Sequence, residues 1–180
     1  SDDMLFNVLR ELRQSMGALD EYELREPEVK AGDLAFRDVE GFVRFLRTDR
    51  GLLAKVHATA TIDEECSRCL APIETPVTVD FAEEYVPMID ANTGAPVHID
   101  ESEEEETFRV SDRWELDLRE ALRQYILMYE PAKPLCRADC AGLCPDCGAD
   151  MNAGPHECEQ PADGRWSALA GLKNETTEGN

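Results

Sequence analysis

Residues 136–158 read CRADCAGLCPDCGADMNAGPHEC and contain five of the seven cysteines together with His156. The other two, Cys66 and Cys69, form a second C-x-x-C upstream. Within the block, Cys144-Pro145-Asp146-Cys147-Gly148 has the form of a zinc knuckle. A turn of this kind aims two thiolates at one metal, and the glycine after the second sulfur adopts φ > 0, so that backbone N–H groups can point at sulfur. Two tetrahedral zinc sites need eight ligands, and Cys66, Cys69, Cys136, Cys140, Cys144, Cys147, His156 and Cys158 supply them. The expectation is a domain clamped by one or two structural zinc ions.

Composition supports metal over disulfides. The chain has 180 residues, enough for one domain with a small appendage and a true core, so metal is not needed to compensate for small size. Met4 to Gly17 lacks the uninterrupted apolar core of a leader, and no run approaches a membrane span, so the chain reads as cytoplasmic. In a reducing compartment seven cysteines, an odd number, read as metal ligands. With 39 acidic against 18 basic residues the formal charge is -21. That field repels phosphate backbones and attracts a basic protein.

Upstream of the block the pattern alternates between helix and strand periods. Leu5, Val8, Leu9, Leu12 and Met16 predict a short helix over 4–16. Residues 19–25 predict a strand, and 26–33, with Pro27 and Gly32, a loop. Residues 41–48 and 52–63 predict a hairpin turned by Thr48-Asp49-Arg50-Gly51. In its second arm Leu52, Ala54, Val56, Ala58, Ala60 and Ile62 share one face, and His57 lies on the wet face. That arm runs into Cys66 and Cys69, and a further strand follows Pro72, which sets the first cysteine pair at a hairpin tip. Residues 87–107, with the acidic run at 100–106, predict a loop, and Phe108–Val110 a last short strand. Asp112 and Glu115 resemble a capping box for a helix whose stripe is Leu118, Ala121, Leu122, Tyr125, Ile126 and Tyr129. A closing helix is expected over 165–173 around Trp166, Leu169 and Leu172, with a frayed tail at 174–180.

The expected fold is α+β: a curved antiparallel sheet, partly open and barrel-like, packed by one long and two short helices, with a C-terminal zinc-binding module. The domains would be 4–135, 136–173 and the disordered tail 174–180. Two ligand divisions are open. In one, Cys66, Cys69, Cys136 and Cys140 share a metal, and Cys144, Cys147, His156 and Cys158 share another. In the other the two C-x-x-C pairs combine. The first is preferred because its second site closes a short loop and can form locally. No H-E-x-x-H, no H-x-E with P-C-x-x-C and no phosphate cradle is present, so a non-enzymatic role is expected.

The C-S-R-C-L segment at 66–70, F-A-E-E-Y at 81–85 and the C-R-A-D-C-A-G-L-C-P-D-C-G-A-D-M-N block at 136–152 resemble the bacterial YceD family, described as the large ribosomal RNA subunit accumulation protein. The likeness runs from L-F-N-V-L at residue 5 to D-G-R-W-S-A-L-A-G-L at residues 163–172. Members commonly carry C-x-C where this chain has His156-Glu157-Cys158, and D-P-R where it has Asp163-Gly164-Arg165. The resemblance implies a part in accumulation or processing of large-subunit ribosomal RNA. With the charge, which favours a basic protein, the resemblance implies as partner a basic ribosomal protein or a large-subunit precursor particle, with no membrane and no small-molecule substrate. Two rivals are a thiol/zinc redox switch and direct RNA binding through Arg37, Arg44, Arg47, Arg50 and Lys55.

Overall fold

The computed structural model describes residues 4–104, 106–155 and 157–158. Its elements in order are β1 (Leu5–Asn7), α1 (Leu9–Arg13), β2 (Leu19–Ala31), β3 (Leu34–Arg47), β4 (Leu52–Glu65), β5 (Pro72–Pro87), β6 (Phe108–Val110), β7 (Glu115–Asp117), α2 (Arg119–Tyr129) and a 3-10 turn at Met151–Ala153. The chain divides into two compact units, whose described parts are 4–64 with 72–134, and 65–71 with 135–158.

In the first unit five strands lie in the order β2-β3-β4-β5-β6. β4 alternates as its sequence dictates, with Leu52, Ala54, Val56, Ala58, Ala60 and Ile62 buried. These residues meet Phe36, Val43, Phe45, Val77, Val79, Tyr85 and the helical Leu122 and Ile126 in one core. Burial of this apolar area is the main favourable term in folding. Gly41 is required where β3 pairs with β4 opposite Ala58, because a Cβ there would stand 2.1 Å from the carbonyl oxygen of His57.

The sheet differs from the expected one in two respects. It is mixed, since β6 runs parallel to β5, and it is not closed, since β2 and β6 are free edges. Parallel neighbours need a crossover, and among the described residues of 88–107 it is made as a loop without a helix, carrying a bridge between Ile89 and Pro96.

Three local expectations are corrected. The first helix spans only Leu9–Arg13, because Leu5, Phe6 and Asn7 pair with Asp117, Leu116 and Glu115 of β7. Val8 and Leu12 of the predicted stripe are still buried, whereas Met16 is 72% exposed. The predicted loop 26–33 is strand as far as Ala31. Pro27 is accommodated because β2 is an edge strand, where a missing N–H costs no ladder bond on the open side, and the β3–β4 register shifts close by, between Arg37 and Glu40. Asp112 and Glu115 do not cap the helix. Glu115 belongs to β7, and the Asp117 Oδ1 accepts the Arg119 N–H (2.9 Å) where α2 starts. The predicted closing helix and tail lie outside the described residues. Of the three expected helices, one of 11 residues and one of five are seen among the described residues, besides the single 3-10 turn.

Candidate metal centre

Both C-x-x-C turns are built by the same two backbone hydrogen bonds. In the first, Leu70 N–H donates to Cys66 C=O (2.9 Å) and Cys66 N–H to Ala71 C=O (2.8 Å). In the second, Gly148 N–H donates to Cys144 C=O (2.9 Å) and Cys144 N–H to Ala149 C=O (2.8 Å). The residue after the second sulfur is left-handed in each, Leu70 at φ 60° and Gly148 at φ 74°. For glycine this conformation is free of strain, while a side-chain-bearing residue pays about 1–2 kcal/mol for it.

Segment 136–152 is then fixed against the first turn. Arg68 donates from Nη1 to Cys140 C=O (2.8 Å), and its own C=O accepts from Leu143 N–H (3.1 Å). Gly142, at φ 78°, passes so close that an added Cβ would lie 3.0 Å from the Arg68 carbonyl oxygen. Asn152, in the 3-10 turn, donates through Nδ2 to Cys140 Sγ (3.4 Å) and accepts Ala141 N–H at Oδ1 (2.8 Å).

The result is two sulfur clusters. The thiols of Cys66, Cys69, Cys136 and Cys140 lie within 4.8 Å of one another, and those of Cys144, Cys147 and Cys158 do likewise. His156 lies outside the described residues. In the first cluster Cys66 and Cys140 are buried, Cys69 is half-buried and Cys136 exposed. Its Sγ–Sγ separations include 3.8 Å for Cys66–Cys140 and 3.7 Å for Cys69–Cys136. A tetrahedron of sulfurs about 2.3 Å from a central zinc has edges of about 3.8 Å. The donor set therefore fits a single tetrahedral cation, and the cluster could hold one. A four-iron cluster interposes iron atoms between its thiolates and needs wider spacing than this.

Without a cation the four thiols disturb one another's ionisation. Backbone N–H groups of Cys136, Cys69 and Arg68 bring Cys66 down to about 6, and the Asn152 donor lowers Cys140. Desolvation and the neighbouring sulfurs push Cys136 up to about 12, and Cys69 is raised as well: the backbone N–H of Ala71 lowers it, but desolvation and the Cys66 and Cys140 thiols together outweigh that. In the second cluster the Cys147 thiol, with desolvation, pushes Cys158 up to about 12. Sulfurs packed this closely share charge that a divalent cation would neutralise.

The four arginines of the expected basic cluster are already engaged. Arg37 pairs with Asp63 (2.7 Å) and Glu74 (2.8 Å), Arg44 with Glu21 (2.5 Å), and Arg50 with Glu103 of the acidic run (3.0 Å). Arg47 spends its donors on the carbonyls of Leu12, Thr48 and Gly51. Lys55 and His57 flank a recess of about 350 Å³ with Phe42, Arg44 and Asp80, and His57 Nδ1 lies 3.1 Å from Asp80 Oδ2. Among the described residues no helix is long and apolar enough to cross a membrane.

Asn152 and Arg68 are the residues that spacing alone did not single out. Asp150-x-Asn152, whose Asp150 Oδ1 accepts Asn152 N–H (2.9 Å), is the local turn signal that could have identified the first.

Uncharacterized proteins of Mycobacterium tuberculosis and Mycobacterium bovis are each 31% identical over 140 residues, covering 76% of this chain and 64% of the relative. One of Mycobacterium leprae is 27% identical over 114 residues, 63% of this chain and 49% of the relative. The chain thus spans less than two thirds of the length of these relatives. No solved structure matches it significantly. Residues 54–173, which include both C-x-x-C turns, match the family described as "Large ribosomal RNA subunit accumulation protein YceD", and this chain belongs to that family.

Proposed function

We propose that the protein is a non-enzymatic, cytoplasmic factor in accumulation of large-subunit ribosomal RNA, shaped by structural zinc and acting through contacts with a basic ribosomal protein or a large-subunit precursor particle. The observation that carries the zinc reading is the sulfur spacing of Cys66, Cys69, Cys136 and Cys140, with two edges of 3.7 and 3.8 Å. Such a site closes all four positions with protein sulfur, leaving none for a catalytic water. In the second site His156 would complete the three thiolates. Binding free energy of about 10–16 kcal/mol at neutral pH makes metal capture part of folding.

The choice of a basic protein over bare RNA rests on charge. The net charge is -21, and Arg37, Arg44 and Arg50 already face carboxylates. Neutralising phosphates would require breaking these pairs in an unfavourable field. Elemental analysis tests the first half: zinc at one to two atoms per chain is expected, and folded protein free of transition metal removes the reading. Affinity capture at physiological salt tests the second. Recovery of a basic large-subunit protein or precursor particle supports it, and recovery of neither overturns it.

A further inference from the structure

The first sulfur cluster offers an oxidant an unequal choice. Cys66 and Cys140 are 0% and 2% exposed, whereas Cys136 is exposed and Cys69 half-buried. The two reachable sulfurs are also each other's neighbours, at 3.7 Å. A coordinated thiol is held as thiolate by its metal and retains nucleophilic character. We propose that this cluster is an oxidation site, in which the Cys136 sulfur attacks hydrogen peroxide and Cys69 resolves the product into a Cys69–Cys136 disulfide, releasing the metal. The proposal rests on the zinc reading above and adds a chemical trigger to it.

The steps balance. An electron pair of the Cys136 sulfur attacks one peroxide oxygen and the O–O bond breaks, giving a sulfenic acid and, with a solvent proton, one water. The Cys69 sulfur then attacks the sulfenic sulfur; the S–O bond breaks, the oxygen takes a second solvent proton and leaves as a second water, and the S–S bond forms. One peroxide is reduced by two electrons and two thiolates are oxidised. Cys66 and Cys140 remain, and two thiolates cannot saturate a tetrahedral ion. A bridge inside the first turn, Cys66 to Cys69, would need a buried sulfur to react in a turn held by two backbone hydrogen bonds. The Cys69–Cys136 bridge instead joins segments 67 residues apart. Both segments then stay tethered after the ion has left, so reduction can rebuild the site.

The test is a titration of zinc-loaded protein with hydrogen peroxide. Released zinc is followed with a chromogenic chelator, and free thiols are alkylated before non-reducing peptide mass spectrometry. At about one peroxide per site, zinc release and a Cys69–Cys136 linked peptide are expected to rise together, with Cys66 and Cys140 alkylated after unfolding and a dithiol reversing both. A dominant Cys66–Cys69 or Cys136–Cys140 link, or sulfinic acid at Cys136 without a bridge, overturns the proposal. Cys69→Ser should stop at sulfenic acid on Cys136, trapped by a dimedone probe, and an unlabelled Cys136 there counts against it. If the purified protein contains no metal the zinc reading fails by itself, and the linkage found in the metal-free reduced chain still decides the pairing.

Discussion

Leu70 and Gly148 occupy equivalent places in two turns with matching hydrogen bonds, yet only one of them is a glycine. Leu70 bears the left-handed conformation with its side chain 58% exposed, so little packing offsets the strain. Leu70→Gly is expected to stabilise the metal-loaded cysteine unit by about 0.5–1 kcal/mol, the lower strain being partly offset by a more flexible unfolded chain. Urea unfolding followed by zinc release measures it, with Leu70→Ala, which retains the strain, as the control without gain. Asn152 acts on a different quantity. Its Nδ2–H polarises the Cys140 sulfur and its Oδ1 fixes the following backbone. Asn152→Ala should weaken zinc affinity by about 10–100-fold with the sheet intact, read by competition against a calibrated chelator. The grouping of Cys66, Cys69, Cys136 and Cys140, and of Cys144, Cys147 and Cys158, into two clusters that could hold a metal was legible in sequence because each C-x-x-C spacing is local. Leu70 was not, since the turn signal there is a glycine that this chain lacks, and neither was the Asn152 donor, which reaches a sulfur twelve residues away.

α1 shows how tertiary pairing alters a local pattern. Of the Leu5-to-Met16 stripe Val8 and Leu12 are buried, Leu5 and Leu9 half-buried and Met16 exposed, and the backbone of Leu5–Asn7 finds strand partners in β7, so the helix keeps five residues. Alternation in β4 survived because a two-faced strand leaves no other satisfactory register. The parallel placement of β6 was invisible, as three residues, Phe108–Val110, carry no direction in their pattern. α1 also contributes Glu11, which is 2% exposed and accepts from Tyr22 of β2 and from Arg10. Burial alone would raise this carboxyl; donation from the Tyr22 hydroxyl, the backbone and Arg10 overrides it and holds Glu11 below the usual range. A group whose pKa is lower folded than unfolded stabilises the fold above the unfolded value, about 4.3, and loses that contribution as pH falls through the folded one. Wild-type stability should therefore fall below about pH 5. Glu11→Gln should be less stable at neutral pH and show a shallower acid slope, and equal slopes in denaturant titrations from pH 7 to pH 3 would contradict the assignment.

The molecule comprises two compact units, and the zinc proposed above would give the second a source of cohesion the first does not share. The hydrophobic cluster from Met4 to Ile126 lies wholly in the first, and every described cysteine lies in the second. Chelation should accordingly melt one and spare the other. After treatment with a strong zinc chelator, sheet circular dichroism is expected to persist while protease cleavage within 136–158 rises at least about tenfold, since opening of the metal-free unit is no longer opposed. Loss of both signals together would show the sheet to depend on the metal. The acidic exterior belongs to this scale too: Glu103 pairs with Arg50, and association with a basic partner should weaken steeply with salt over the range where the Debye length drops below about 10 Å.

The separation of Cys69 from Cys136 and of Cys66 from Cys140, 67 and 74 positions, also sets a schedule. A chain emerging at about 5–20 residues per second presents its first thiol pair some 4–15 seconds before the sulfurs that complete the site. If the cluster is the zinc site proposed above, the nascent polypeptide exposes during that interval a half-built chelate, open to adventitious ions and stray oxidants. On that reading the site is open while the protein is still attached to the machine that makes it, and faster translation through this stretch would shorten the interval.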